Sequence, residues 1–368
     1  MNQIPLNDLS RITSDEVNIL TDLFREICGS GSYLKGAFTK QLEKYLSSVF
    51  QSETTIAVAN GTDALTLAIA ALQLSSSERV AIVPNAGGYS SIALRRLGLS
   101  CSYIDIDPIT AQMSVDSLTA ALKADPSIRA VIVTHLYGMC GEIEEIASLC
   151  QSFKVALIED CAQSIGAQIA GRPVGTFGDM ATLSFYPTKN LGALGDGGAV
   201  VCKNPKTAQL VNELAQYGWS SRYVIDSLNG FNSRIDEIQA AIICSRLPFL
   251  TEMNSTRKGI INRYSDCLKP PRRIINASGQ NFVGHLAILV TPKRESDAQY
   301  LQSAGIATSI HYPLLDPEQP AWSSQEKKWR DLIPNAIDLN AQILTLPCFP
   351  TMRDDEITKV CDTLSTLQ

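Results

Sequence analysis

The stretch Thr54-Thr-Ile-Ala-Val-Ala-Asn60-Gly61-Thr62-Asp63-Ala-Leu-Thr-Leu-Ala-Ile-Ala-Ala-Leu72 decides the fold class. Thr54 to Ala59 is a short apolar run with β-branched residues, which reads as a strand buried on both faces. Asn60 and Gly61 interrupt it, and from Asp63 to Leu74 the apolar residues Leu65, Ala68, Ile69 and Leu72 recur at helical spacing. Working outward, similar apolar runs occur at Val80 to Pro84, Ser102 to Ile106, Ala130 to Thr134, Val155 to Ile158, Thr182 to Tyr186 and Ala199 to Cys202, separated by amphipathic segments. Strand, helix, strand is thus the repeated unit, and an α/β fold with a mostly parallel seven-stranded sheet is expected over residues 54 to 203.

The texture then changes. Asp236 to Arg246 reads as a helix, Pro248 breaks or kinks it, and a second helix runs from Asn254 to Leu268. Beyond Pro270-Pro271 come a strand at His285 to Val290, a helix at Ser296 to Ala304 and a last helix after Arg353. A boundary near residue 250 follows, giving a large unit, residues 1–250, with a helical N-terminal segment, and a smaller C-terminal α/β unit, residues 251–368.

Apolar residues make up 45% of the 368 and charged residues 18%, below the usual charged share of about 25%, so a large buried core is expected. With 31 basic against 37 acidic side chains, net −6, and no Lys or Arg stripe, a nucleic-acid partner is not expected. Lys269 to Arg273 reads as a solvated turn. The first residues carry no continuous apolar h-region, so a soluble protein without an export signal is expected, and no run approaches the roughly 18 apolar residues that cross a bilayer. The ten cysteines are scattered, never spaced C-x-x-C, and fit reduced, buried thiols rather than disulfides or a metal cluster. A cytoplasmic protein without membrane contact or metal is the expectation.

Three sites carry residue types that packing alone does not need. Asn60-Gly61-Thr62-Asp63 follows a strand and opens a helix, where free first-turn amides and the Thr62 hydroxyl stabilise an anion such as phosphate; an ordinary capped turn would read the same way. Val155-Ala-Leu-Ile-Glu159-Asp160-Cys-Ala-Gln163 ends a buried strand in two carboxylates, at the sheet edge where α/β folds bind ligands, or where a helix is capped. Ser184-Phe-Tyr186-Pro-Thr-Lys189-Asn-Leu-Gly192-Ala-Leu-Gly195-Asp-Gly197-Gly198 places a lysine ahead of a glycine-rich loop. Taken alone, Lys189 reads as an exposed loop lysine. Buried, its amine would lose its proton and condense with a carbonyl. Together the three suit pyridoxal 5'-phosphate, which needs a lysine for its aldehyde (Lys189), a carboxylate on its ring nitrogen (Asp160) and an anion pocket (Gly61, Thr62).

Around these residues the sequence resembles the sugar aminotransferases of the DegT/DnrJ/EryC1/StrS family. The likeness runs from Ile4-Pro-Leu-Asn-Asp-Leu9 through Asn60 to Leu65, His135-Leu-Tyr-Gly138, Glu159 to Gln163 and Ser184 to Gly198. It continues through Gly230-Phe-Asn-Ser-Arg-Ile-Asp-Glu-Ile-Gln-Ala-Ala241 to His311-Tyr-Pro313. The resemblance implies a fold type I, aspartate aminotransferase-like enzyme. It makes Lys189 the residue that holds the cofactor and moves the proton, and sets Asp160 on the pyridine nitrogen, Gln163 on the ring hydroxyl and Ser184 on the phosphate. Asn232 would reach the phosphate of a neighbouring subunit, which implies a homodimer with shared active sites. Tyr312 in His-Tyr-Pro resembles the family's sugar-side tyrosine, or is an aromatic packed on the small domain; His135 and Tyr186 lie close to the constellation and could contact substrate, with a satisfied structural histidine as the alternative for His135. One departure stands out: after Pro84 the family has an aromatic that stacks on the cofactor, whereas this chain reads Asn85-Ala-Gly87-Gly88-Tyr89, which makes Tyr89 the stacking candidate.

The reaction so implied moves an amino group from L-glutamate to a ketone of a nucleotide-linked deoxysugar. The form Asn232-Ser-Arg resembles members acting on 3-keto sugars, which points to a dTDP-3-keto-6-deoxyhexose, with a 4-keto sugar or a cyclitol ketone as the alternatives. Dehydratase relatives carry histidine where this chain has Lys189, and a non-enzymatic regulatory homologue would be expected to lose Lys189 or Asp160.

Overall fold

The computed structural model describes residues 3–52, 54–275, 281–322 and 329–367. Two helices open the chain: α1 (Ser14–Ser30), capped by the Thr13 hydroxyl, and α2 (Ala37–Val49). Then β1 (Thr54–Val58), α3 (Gly61–Ala71), β2 (Arg79–Ile82), α4 (Tyr89–Arg96), β3 (Ser100–Tyr103), α5 (Val115–Ala124), β4 (Ile128–Thr134), α6 (Ile143–Phe153) and β5 (Ala156–Asp160) alternate. A small ribbon of β6 (Gln168–Ile169) and β7 (Arg172–Pro173) precedes β8 (Met180–Ser184), β9 (Gly198–Cys202) and α7 (Pro205–Leu214). A second ribbon, β10 (Trp219–Ser221) and β11 (Val224–Ile225), leads into α8 (Glu237–Arg246) and α9 (Leu250–Cys267). The remainder is β12 (Arg273–Ile274), β13 (Ala287–Val290), α10 (Arg294–Ser303), α11 (Pro334–Asn340), β14 (Ile343–Leu346) and α12 (Asp354–Ser365).

Seven strands form one sheet in the order β1-β9-β8-β5-β4-β2-β3, and only β9 runs against the others. Helices cover both faces, so the strands carry almost unbroken apolar runs rather than alternation, as the sequence predicts. Thr134 on β4, Asp160 on β5 and Thr182 on β8 lie side by side, which aligns the carboxyl ends of three neighbouring strands. A second sheet, β12-β13-β14, is antiparallel. The N-terminal segment is helical as expected: α2 packs on β1 and α8, and its Leu42 and Leu46 are fully buried, each contributing roughly 1.5–3 kcal/mol.

Two expected strands sit further toward the C-terminus in the sequence reading than in the structure. Ser102 to Ile106 is in fact Ser100–Tyr103, because the apolar residues Ile104 and Ile106 are buried in the connection while the Asp105 carboxylate accepts the amides of Asn335 and Ala336. Thr182 to Tyr186 ends at Ser184, where the chain turns into the glycine-rich loop. Pro248 produces a 3-10 turn, Leu247–Phe249, joining α8 to α9. All ten cysteines are free, and no helix among the described residues is long and apolar enough to cross a membrane.

Candidate active site

The carboxyl edge of the large sheet collects the residues singled out by sequence. Successive side chains on β5 point to opposite faces, so Glu159 and Asp160 enter different environments. Asp160 is buried, with Oδ1 accepting the amide of Ala162 at 3.1 Å and Oδ2 meeting, among the described residues, only the Thr134 hydroxyl at 3.4 Å. Burial raises its carboxyl above the usual range; the Ala162 amide and the nearby Lys189 charge pull the other way without winning. Lys189 follows β8, half-buried, its amide bonded to the Tyr186 carbonyl at 2.8 Å. Burial lowers its ammonium to about 8 against the opposing pull of Asp160, so a free amine is accessible near neutral pH.

The N-terminus of α3 forms the third part. Asn60 caps it, its side chain accepting the amide of Asp63 at 2.8 Å, and the first intrahelical bond is Ala64 to Asn60 at 3.0 Å. That leaves the amides of Gly61 and Thr62 ahead of the ladder, facing outward. A Cβ at position 61 would lie 2.7 Å from the Ser184 Cβ, so glycine brings this helix end directly onto the Ser184 hydroxyl at the tip of β8. Ser233 braces the same turn by accepting the Ala59 amide and donating to Asp63, which leaves the adjacent Asn232 exposed with Arg234 on its Oδ1 at 2.9 Å.

Gln163 is buried next to this edge; its Oε1 accepts the Tyr137 amide at 2.6 Å and its Nε2 donates to the Tyr312 hydroxyl at 3.3 Å. Tyr312 also meets the ring of Tyr89 edge-on, at 6.1 Å between centroids. Tyr89 and Tyr186 are both exposed beside this edge.

His135 requires a correction. It has no exposed surface, and its Nε2 sits 3.0 Å from Glu159 Oε2, so it lies behind the strand ends and offers substrate no contact. Glu159 is the hub there: its two oxygens also accept the amides of Gly175, Phe177 and Gly178 at 2.7–2.8 Å. Burial pushes that carboxyl up, but His135 and the amides outweigh it and hold it below the usual value. Cys161 brings a third ligand-type atom within 4.8 Å of these two, yet the donors on Glu159 already occupy both oxygens.

Other residues escaped the sequence reading. Asn190, directly after Lys189, donates to Asn254 Oδ1 at 2.7 Å and to the Val283 carbonyl, and its Oδ1 meets His285 Nδ1 at 2.8 Å. This fixes the lysine loop against α9. Nothing local in the sequence joins positions 190, 254 and 285, so only tertiary structure reveals them.

The residues fit pyridoxal phosphate. Asp160 retains unused acceptor capacity in a buried site, Lys189 can supply a free amine, and the Gly61, Thr62 and Ser184 cradle presents donors to an anion.

Comparison with known proteins agrees. The chain is 32% identical over 364 residues to a dTDP-3-amino-3,6-dideoxy-alpha-D-galactopyranose transaminase of Aneurinibacillus thermoaerophilus, covering 98% of this chain and 99% of the relative. It is 32% identical over 360 residues to a UDP-N-acetyl-3-dehydro-alpha-D-glucosamine 3-aminotransferase of Acidithiobacillus ferrooxidans, covering 97% and 96%. The crystal structure of S. venezuelae DesV in complex with a ketimine intermediate superposes with a TM-score of 0.94 at 28% identity, over 99% of this chain and 98% of that one. Residues 15–365 match the sequence profile of the DegT/DnrJ/EryC1/StrS aminotransferase family, and the chain belongs to it, as a fold type I transaminase that works with pyridoxal 5'-phosphate.

Proposed function

We propose that this aminotransferase moves the amino group of L-glutamate to the ketone of a nucleotide-linked sugar, with a dTDP-3-keto-6-deoxyhexose as the acceptor. The observation that carries the chemistry is the half-buried Lys189, its ammonium lowered to about 8, beside the buried, under-bonded Asp160. Bound pyridoxal phosphate supplies an electron sink, deepened by a proton on its ring nitrogen. Asp160 would hold that nitrogen, Gln163 the ring hydroxyl, and the Gly61 and Thr62 amides with the Ser184 hydroxyl the phosphate. Lys189 Nζ would anchor the cofactor and, once released, would take the proton from the carbon bearing the amino group in the first half-reaction and deliver a proton to the carbon that receives it in the second.

Two relatives with a 3-amino or 3-dehydro position in their names support a 3-keto acceptor, as does the Asn232-Ser-Arg form. Tyr186 and Tyr312 are assigned to the sugar side. The reading includes a homodimer in which Asn232 serves the partner's phosphate pocket. It is supported by the exposure of Asn232 and of the nearby Tyr223, Val224, Ile225 and Leu228. It also includes a division near residue 250, supported by the separate antiparallel sheet that follows, and a cytoplasmic setting, supported by ten free thiols.

The test is to incubate holoenzyme and L-glutamate with 3-keto and 4-keto nucleotide sugars and cyclitol ketones. A 3-amino nucleotide sugar with matching 2-oxoglutarate is expected; product only from 4-keto sugars or cyclitols defeats the acceptor assignment.

A further inference from the structure

We propose that Tyr137 is a positioning residue that sets both ends of the Gln163–Tyr312 contact and thereby shapes the acceptor side of the site. The inference rests on the reading above that Tyr312 faces the sugar.

Tyr137 lies just beyond β4, 1% exposed, with φ 62° and ψ 7°. A side chain other than glycine in the left-handed region is strained and persists only where its surroundings hold it there. Here every polar group of the residue is used. Its amide donates to Gln163 Oε1 at 2.6 Å, its carbonyl accepts the His285 amide at 3.0 Å, and its hydroxyl donates to the His311 carbonyl at 2.6 Å. One buried residue therefore ties together the segment after β4, the residues after β5, the approach to β13 and the His311-Tyr312 segment.

The consequence concerns Tyr312. Gln163 Nε2 donates to the Tyr312 hydroxyl at 3.3 Å, and the Tyr137 amide fixes Gln163 from its other end. The Tyr137 hydroxyl fixes the peptide that leads into Tyr312. Gly87 closes the remaining side: a Cβ there would lie 2.9 Å from the Tyr312 ring, so the glycine that breaks the family pattern after Pro84 makes the space this ring occupies. Tyr312 is thus confined by Gly87 and Gln163, and Tyr137 holds its backbone in line with both.

Removing only the Tyr137 hydroxyl leaves the amide on Gln163 intact and frees the His311 carbonyl. Cofactor contacts should survive while the sugar-side tyrosine drifts. The experiment compares wild-type, Tyr137→Phe and Tyr312→Phe holoenzymes, with the L-glutamate half-reaction and turnover of dTDP-3-keto-6-deoxyglucose measured separately. For Tyr137→Phe, kcat/KM for the ketone should fall about tenfold, with the glutamate half-reaction and the cofactor absorption spectrum unchanged. Equal loss in both half-reactions, or loss of thermal stability alone, would mean that Tyr137 serves packing only. If Tyr312→Phe impairs the ketone and Tyr137→Phe does not, the positioning role is wrong; if Tyr312→Phe has no effect, the sugar-side reading itself has failed. Crystal structures of the wild-type and Tyr137→Phe holoenzymes decide the geometry without any ketone: displacement of Tyr312 from Gln163 supports the proposal, and an unmoved Tyr312 overturns it.

Discussion

Two adjacent carboxylates at the end of β5 meet opposite fates. Glu159 turns inward to His135 and three backbone amides, which hold its charge; Asp160 turns to the strand-end cleft, where one amide and one distant hydroxyl leave burial in control. Glu159 sees its full complement of donors and so locks the loop at residues 175–178 to the sheet. Asp160 is kept short of partners, the condition under which a buried acid engages a ligand cation strongly. The same chemistry one residue apart is thus spent on the scaffold on one face and left open for a ligand on the other.

The contrast can be broken by substitution. Asp160→Asn should lower kcat by about 10²–10³ while thermal unfolding stays near that of the wild type, because little of the fold depends on this carboxylate. Glu159→Gln should do the reverse, destabilising the protein by about 3 kcal/mol while leaving the folded fraction active. Calorimetry together with activity per folded molecule separates the two; matching losses in both variants would erase the distinction. Ser184→Ala should weaken cofactor binding about five- to tenfold, read by titration of the apoprotein with pyridoxal phosphate. The smallest effect concerns pH. Because the folded Lys189 ammonium is lowered to about 8, the rate of cofactor capture should climb as pH rises through 8 and level off above it. A rate that keeps climbing toward pH 10 would show that the lysine retains an ordinary pKa.

The sheet and the residues on its edge were legible because their signals are local. Buried parallel strands read as continuous apolar runs, and Asp160 and Ser184 fall where such runs stop; the glycine-rich loop marks Lys189 in the same way. His135 is ambiguous in the sequence because a histidine after a strand looks alike whether it faces the cleft or lies behind it, and the Glu159 contact at 3.0 Å favours the structural alternative. The contacts of Tyr137, Asn190 and His285 were invisible for a related reason: their partners lie far away in sequence, so no spacing rule exposes them. The end of β3 falls three residues before the expected Ile106 because the buried side chains of Ile104 and Ile106 continue past the ladder.

Reduction of the yellow holoenzyme with borohydride, followed by peptide mapping, probes the lysine beside Asp160. The cofactor mass should be found on the peptide containing Lys189 and on no other; label on a different lysine, or none retained after reduction, would contradict the site described.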